Sequence, residues 1–251
     1  MKPVVIILSV SSDIGFYLAK RYTQDGYRVM GTYRFLSRLL EIEILSSCHL
    51  FHCDISDKKS VENFLSDFEK LKINWDIFIS CVGDLRPYGN FFETDFDAWS
   101  DSVCVNSVEQ LRIVHALYPL RNKKIMPSVV FFAGGGTNNA PTDLSAYIVS
   151  KIMLTKMCEL LDAENPDLKV FIVGPGYIKT KIHDSIKANI AQGKKETNLA
   201  DVYNSISWLI SQDKKAVSGR NFSVAYDHLG DNRLVGLLKE DSDMYKLRRK
   251  T

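Results

Sequence analysis

Tyr147 and Lys151 stand four residues apart in "SAYIVSK", a spacing that puts both side chains on one face of a helix. A phenol with a pKa near ~10 is a poor acid or base at neutral pH. An adjacent ammonium stabilises the phenolate and draws that pKa toward the working range. Such a pair can hand a proton to a carbonyl oxygen or take one from an alcohol. The bland reading of the same spacing is a core tyrosine beside a surface lysine.

A second candidate lies near the start, where "LSVSSDIG" turns from an apolar run into a helical one. Ser9, Ser11, Ser12, Asp13, Ile14 and Gly15 fall on this turn. A helix N-terminus there offers backbone N–H groups and a positive dipole end to a phosphate. A plain strand–turn–helix is the alternative, since Gly15 is its only glycine. "GTYR" places Arg34, with no carboxylate, where a ribose would lie. That arginine could pair with a ribose 2′-phosphate and stack on adenine, favouring NADP(H) over NAD(H), or it could be a solvated surface arginine. Asp54, in "HCDIS", could receive an adenine amino group or cap the next helix.

The elements that must hold these residues alternate regularly. Apolar runs "KPVVIILSV", "YRVMGTY", "CHLFHCDI", "WDIFISCVG", "PSVVFFAG", "LKVFIVGPG" and "RNFSVAY" read as strands. Between them lie helical stretches, among them "IGFYLAKRYTQDG", "FLSRLLEIEIL", "SDKKSVENFLSDFEKL", residues 94–118, "SAYIVSKIMLTKMCELLDAE" and "LADVYNSISWLIS". Ser56 or Asp57 is the expected N-cap of the third. Strands apolar through their length imply an α/β fold, a doubly wound parallel sheet with helices on both faces. With no linker or repeat, residues 1–251 read as a single domain.

Composition narrows the function classes. A formal net charge of +2 makes no electrostatic case for nucleic acid. No stretch approaches the ~20 apolar residues that span a bilayer. "MKPVVIILSV" runs straight into "SSDIG" without a small-residue cleavage site, so it reads as a buried strand and the location as cytoplasmic. Cys48, Cys53, Cys81, Cys104 and Cys158 lack CxxC spacing and read as reduced thiols, not a disulfide frame or metal site.

Taken in order, "SSDIG", "CDIS", "CVG", "VN" at 105–106, the glycine-ended strand before "SAYIVSK", and "GPGYIKT" resemble the short-chain dehydrogenase/reductase family, from Val4 to about Val224. The resemblance implies a Rossmann fold and an NAD(P)-dependent oxidoreductase. It implies Tyr147 as acid/base, Lys151 holding the nicotinamide ribose and lowering the tyrosine pKa, and Asn106 holding a water in a proton relay. Asp54 would contact adenine and Gly83 the adenine ribose. Gly174, Pro175, Gly176 and Thr180 would pack around the nicotinamide amide and pyrophosphate.

Departures from the family pattern are Leu8 and Ser9 for Thr-Gly, Asp13 for the middle glycine, Ser80-Cys81-Val82-Gly83 for Asn-Asn-Ala-Gly, and Gly134 where a serine is expected. Losing such a donor costs about 10²–10³ in rate unless Thr137, Ser145 or the backbone of Gly134–Gly136 substitutes. The segment about 178–198 reads as a substrate lid. Its Lys179, Lys181, His183, Lys187, Lys194 and Lys195 suit an anionic substrate or form a solvated basic face, and Arg86 could meet a phosphate or carboxylate. The tail, about 226–251, is atypical; "LVGLL" would pack on the core or a partner, and "YKLRRK" would be solvated.

The resemblance also implies a homodimer or homotetramer through helices at 96–118 and 144–164, and, for the expected NADP(H)-dependent carbonyl–alcohol interconversion, a sugar or sugar-nucleotide substrate. An acyl-thioester ketoreductase and a catalytically silent nucleotide- or partner-binding relative are the alternatives; an epimerase or dehydratase ranks below them.

Overall fold

The computed structural model describes residues 2–36, 47–137, 139–179 and 196–249. Most of the helix expected over "FLSRLLEIEIL", from residue 37 on, and most of the expected lid with Thr180, Lys181, His183, Lys187, Lys194 and Lys195, lie outside the described residues.

Seven strands, β1 (Val4–Leu8), β2 (Arg28–Tyr33), β3 (His49–His52), β4 (Ile77–Ser80), β5 (Ser128–Phe132), β6 (Lys169–Gly174) and β7 (Asn221–Ser223), form one sheet in the order β3-β2-β1-β4-β5-β6-β7. Every pairing is parallel. The register Ile6↔Phe78, Phe78↔Val129 and Val129↔Val170 runs one apolar row across the centre. Because side chains alternate across a strand, that row faces one helical layer and its neighbours face the other.

Ile6, Phe78, Val129 and Val170 pack with α2 (Lys58–Lys70), α4 (Glu109–Leu117) and α5 (Ser145–Glu164). Ile7, Ile79, Val130 and Phe171 pack with α1 (Asp13–Gln24), α6 (Leu199–Ser211) and α8 (Asn232–Glu240). This double burial explains why the strands read as continuous apolar runs. α3 (Phe96–Val103) continues into a π-helical turn, Cys104–Val108, and then into α4. The short α7 (Lys214–Val217) precedes β7.

Helix ends follow their side chains. Ser12 caps α1 by accepting from the Gly15 N–H, and Asp57, not Ser56, caps α2 through the Lys59 N–H. Lys169, 4% exposed, donates to the carbonyls of Ile210 and Gln212 at the C-terminus of α6, where a cation meets the negative end of the helix dipole.

The tail is tied down, although its basic end stays exposed at Arg248 and Arg249. Arg220, 3% exposed, donates to the carbonyls of Leu238, Asp241 and Met244. The Asn221 N–H on β7 donates to the Tyr245 carbonyl, and Arg248 pairs with Glu159 on α5 and with Asp243. Arg248, exposed as expected, thus also pairs the tail with α5, and Leu234 and Leu238 of "LVGLL" lie in the core. Among the described residues no helix is long and apolar enough to cross a membrane, and the five cysteines carry free thiols.

Candidate active site

In a sheet of this order the strand sequence reverses between β1 and β4, and ligands bind outside the carboxyl ends of the strands at that point. The chemistry-bearing residues converge there. At the tip of β1, Ser9 has φ +63°, and its carbonyl accepts from the Ser12 N–H at 3.1 Å and the Ser12 hydroxyl at 2.8 Å. Its N–H donates to Thr32 Oγ1 at 3.0 Å. Gly15 sits against this turn so closely that a Cβ would come within 2.2 Å of the Ser9 carbonyl oxygen. The turn that replaces a glycine-rich loop is thus closed by hydroxyls, with one glycine where contact is tightest. Ser11, Asp13 and Ile14 complete the entry to α1.

Arg34, at the end of β2, is exposed and lies over the Phe35 ring, 4.9 Å from its centroid. Asp54 follows β3; its carboxylate accepts from the Ser56 N–H and hydroxyl, so it closes the turn before α2 rather than capping the helix. Gly83 follows β4 and is exposed. Gly176 follows β6 and Pro175 with φ +79°, and a Cβ there would meet Thr197 Oγ1 at 2.3 Å. That hydroxyl is buried without a partner among the described residues, and Thr197 carried no sequence signal.

On α5, Tyr147 and Lys151 share a face. The Lys151 ammonium lies 5.6 Å from the Tyr147 ring centroid and donates to the Val82 carbonyl at 3.1 Å. Lys151 is 3% exposed, and burial pushes its amine down to about 8, with the Cys81 thiol acting the other way. Burial pushes the Tyr147 phenol up to about 12. The sequence led to the opposite direction for this phenol. The reason is geometric: the ammonium lies toward the ring face and is committed to Val82, so desolvation dominates.

Gly134 explains how the ring fits. A Cβ at this position would stand 2.5 Å from Tyr147 Cε1 and 2.9 Å from both Cζ and the hydroxyl oxygen. The tyrosine occupies the volume a serine side chain would take. Thr137 is half-buried on the same loop. Ser145 accepts from Trp99 Nε1 at 2.9 Å, which joins α3 to the start of α5.

Asn106 is fully buried in the π-helical turn. Its amide donates to the Asp84 carbonyl and its oxygen accepts from the Asp84 N–H, both at 2.8 Å. Arg86 is likewise committed, pairing with the Asp84 carboxylate at 2.5 Å. Although burial opposes the charge, Arg86 holds that carboxyl below its ordinary value, helped by the field of Arg34. The sequence reading missed Gln110, which accepts from the Ser80 hydroxyl at 2.7 Å. Its signal was an amide four residues after Asn106, inside an apolar helical stripe.

Comparison with known proteins accords with this geometry. A family model described as enoyl-(acyl carrier protein) reductase matches residues 9–226. Serine 3-dehydrogenase of Agrobacterium fabrum is 24% identical over 227 residues, covering 85% of this chain and 90% of its own. Dehydrogenase/reductase SDR family member 4 of Bos taurus is 25% identical over 241 residues, covering 88% and 85%. Among solved structures, ligand-free aldohexose dehydrogenase of Thermoplasma acidophilum superposes with a TM-score of 0.77 at 17% identity, over 89% of this chain and 92% of that one. A short-chain dehydrogenase of Shigella flexneri complexed with NADP gives 0.78 at 21%, over 88% and 96%.

Proposed function

Given that the chain belongs to the short-chain dehydrogenase/reductase family of NAD(P)-dependent oxidoreductases, we propose that it reduces a small polar carbonyl compound with NADPH, Tyr147 donating the proton. The observation that carries this reading is the pair of half-buried Tyr147 and buried Lys151 beside Gly134 at the carboxyl rim of the sheet. A phenol held at about 12 keeps its proton at neutral pH, which is the form that a carbonyl oxygen needs from a general acid.

The site fits a dinucleotide. The glycine at Gly15, the α1 N-terminus with Ser9, Ser11, Ser12, Asp13 and Ile14, and the Thr197 hydroxyl beside Gly176, unpartnered among the described residues, suit phosphate and amide groups. Asp54, Gly83, Pro175 and Thr180 would line it further, and Arg34 would select the 2′-phosphate, NAD(H) being the weaker cofactor. Bound nicotinamide supplies the hydride. Lys151 would hold the ribose hydroxyls and, through its charge, ease proton loss from Tyr147. Asn106 would fix the Asp84 backbone beside them, and Thr137 would orient the substrate oxygen in place of the absent serine.

A sugar or other hydroxylated substrate suits this reading, in line with the aldohexose and serine activities named for similar proteins. An acyl thioester is the second reading, favoured by the description of the matching family model. Val149, Met153 and Leu160 expose apolar surface along α5, which supports a homodimer or homotetramer through that face, readable by sedimentation. The residues 1–251 would act as one domain.

Fluorescence titration with NADPH and with NADH tests the cofactor. Saturable binding, tighter for NADPH, is expected, while binding of neither would favour a silent relative. Tyr147→Phe should leave that binding intact and lower turnover by about 10²–10⁴-fold; unchanged turnover would remove Tyr147 from the chemistry.

A further inference from the structure

We propose that Gln110 is a positioning residue for Lys151, acting through Ser80 and the chain that leaves β4. That chain is laced to its surroundings at alternate residues. Ser80 donates its hydroxyl to Gln110 at 2.7 Å, the Val82 carbonyl accepts from Lys151 at 3.1 Å, and the Asp84 backbone is held at both polar atoms by Asn106. Ser80, Gln110 and Asn106 are each 0% exposed, so water offers the Ser80–Gln110 bond no substitute.

Gln110 is bound at both ends. Its amide nitrogen donates to the Val105 carbonyl at 3.2 Å, inside the π-helical turn that carries Asn106. One side chain therefore ties the turn to the tip of β4. It sets where that tip stops and where the Val82 carbonyl faces. Lys151 has this carbonyl as its acceptor, so its ammonium sits where the lacing places it. The titratable groups facing the ammonium are the Tyr147 phenol on its own helix and the Cys81 thiol at the tip of β4. The Asp84 carboxylate is paired with Arg86. The geometric link stands by itself; its importance to turnover rests on the role given to Lys151 above.

The test follows the Lys151 amine directly, without a substrate. In the full chain labelled with 13C-lysine, its signal is assigned by its loss in Lys151→Met, and its titration midpoint is read by NMR. The native midpoint should lie at about 8. Ser80→Ala and Gln110→Leu should each lower it by about one pH unit, a tenfold change in proton affinity, because the charged form loses its fixed acceptor. The double variant should lower it no further, and Ser80→Thr, which keeps the hydroxyl, should leave it in place. An unmoved midpoint in Ser80→Ala, the mildest change, overturns the proposal, as does a double variant whose shift is the sum of the two. If the midpoint moves while the pH profile of turnover does not, the positioning stands and the catalytic role of Lys151 falls.

Discussion

Replacing Gly134 by serine sets two effects of the active site against each other. The variant supplies a hydroxyl where the family carries one, and such a donor is worth about 10²–10³ in rate. Its Cβ, however, would stand 2.5 Å from Tyr147 Cε1 and 2.9 Å from the phenol oxygen. Carbon atoms in contact settle at about 3.5–4.0 Å, so the ring must withdraw by roughly 1 Å. Displacing a reacting group that far costs about 10²-fold, and losing its proton transfer altogether costs about 10²–10⁴-fold. The new donor helps only with the phenol in place, and the two compete for one volume.

Gly134→Ser should therefore lower kcat/KM by about 10²-fold. Overpacking of about 1–3 kcal/mol should also lower Tm by about 2–4 °C per kcal/mol. NADPH oxidation with a carbonyl that supports native turnover, a melting curve and an NADPH titration measure the three quantities. Gly134→Ala, which brings the Cβ without the hydroxyl, should be equally impaired. A serine variant faster than the native protein, with an unchanged melting curve, would refute the reasoning and make Gly134 a simple lost donor.

Gly15→Ala brings a Cβ to 2.2 Å from backbone at Ser9, so cofactor affinity should fall at least tenfold by the same titration, with a lower Tm. Arg34→Ser removes the exposed guanidinium over Phe35 and should cut the NADPH-over-NADH preference by about tenfold, or about 1.4 kcal/mol, chiefly by weakening NADPH. Stability should gain a contribution from Lys151 that rises with pH between about 8 and 10.5, because the unfolded chain holds a proton there that the fold has released, while the thiols of Cys53, Cys81 and Cys158, pushed up by burial, pull it down above 9.0. It should fall between 10.0 and about 12, where the fold retains the Tyr147 proton and the unfolded chain does not. Urea unfolding across these intervals checks both limbs, and Lys151→Met should remove the rising one.

The strands and the Tyr147–Lys151 helix were legible because burial on both faces leaves apolar runs and because i, i+4 spacing is a local property. Leu199–Ser211 matches its helical stretch end for end. The π-helical turn at Cys104–Val108 was not legible. "CVNSV" has no local feature that demands it, and Asn106 in the turn and Gln110 at the start of α4 bond to Asp84 and Ser80, more than twenty residues away. The direction of the Tyr147 shift failed for a related reason. Spacing reports that two side chains are neighbours, whereas desolvation depends on everything packed around them. Gly134 read as a loss, because the sequence cannot show that the tyrosine ring fills the vacated volume. The ion pairs of the basic tail were not legible, because nothing local marks Glu159 and Asp243 as facing Arg248.

The clasp on Arg220 has a consequence for biosynthesis. Its guanidinium takes the carbonyls of Leu238, Asp241 and Met244, and the Asn221 N–H beside it takes that of Tyr245. None of these acceptors exists while the ribosome is still translating β7. A nascent chain can assemble β1 to β6 but holds an unpaired cation and a bare strand edge at its border, the kind of edge that invites pairing with other chains. Emergence of residues 238–245, rather than of the last strand, is the event that closes the sheet. Messages truncated between codons 224 and 238 should yield chains that need a chaperone, although every strand has been made.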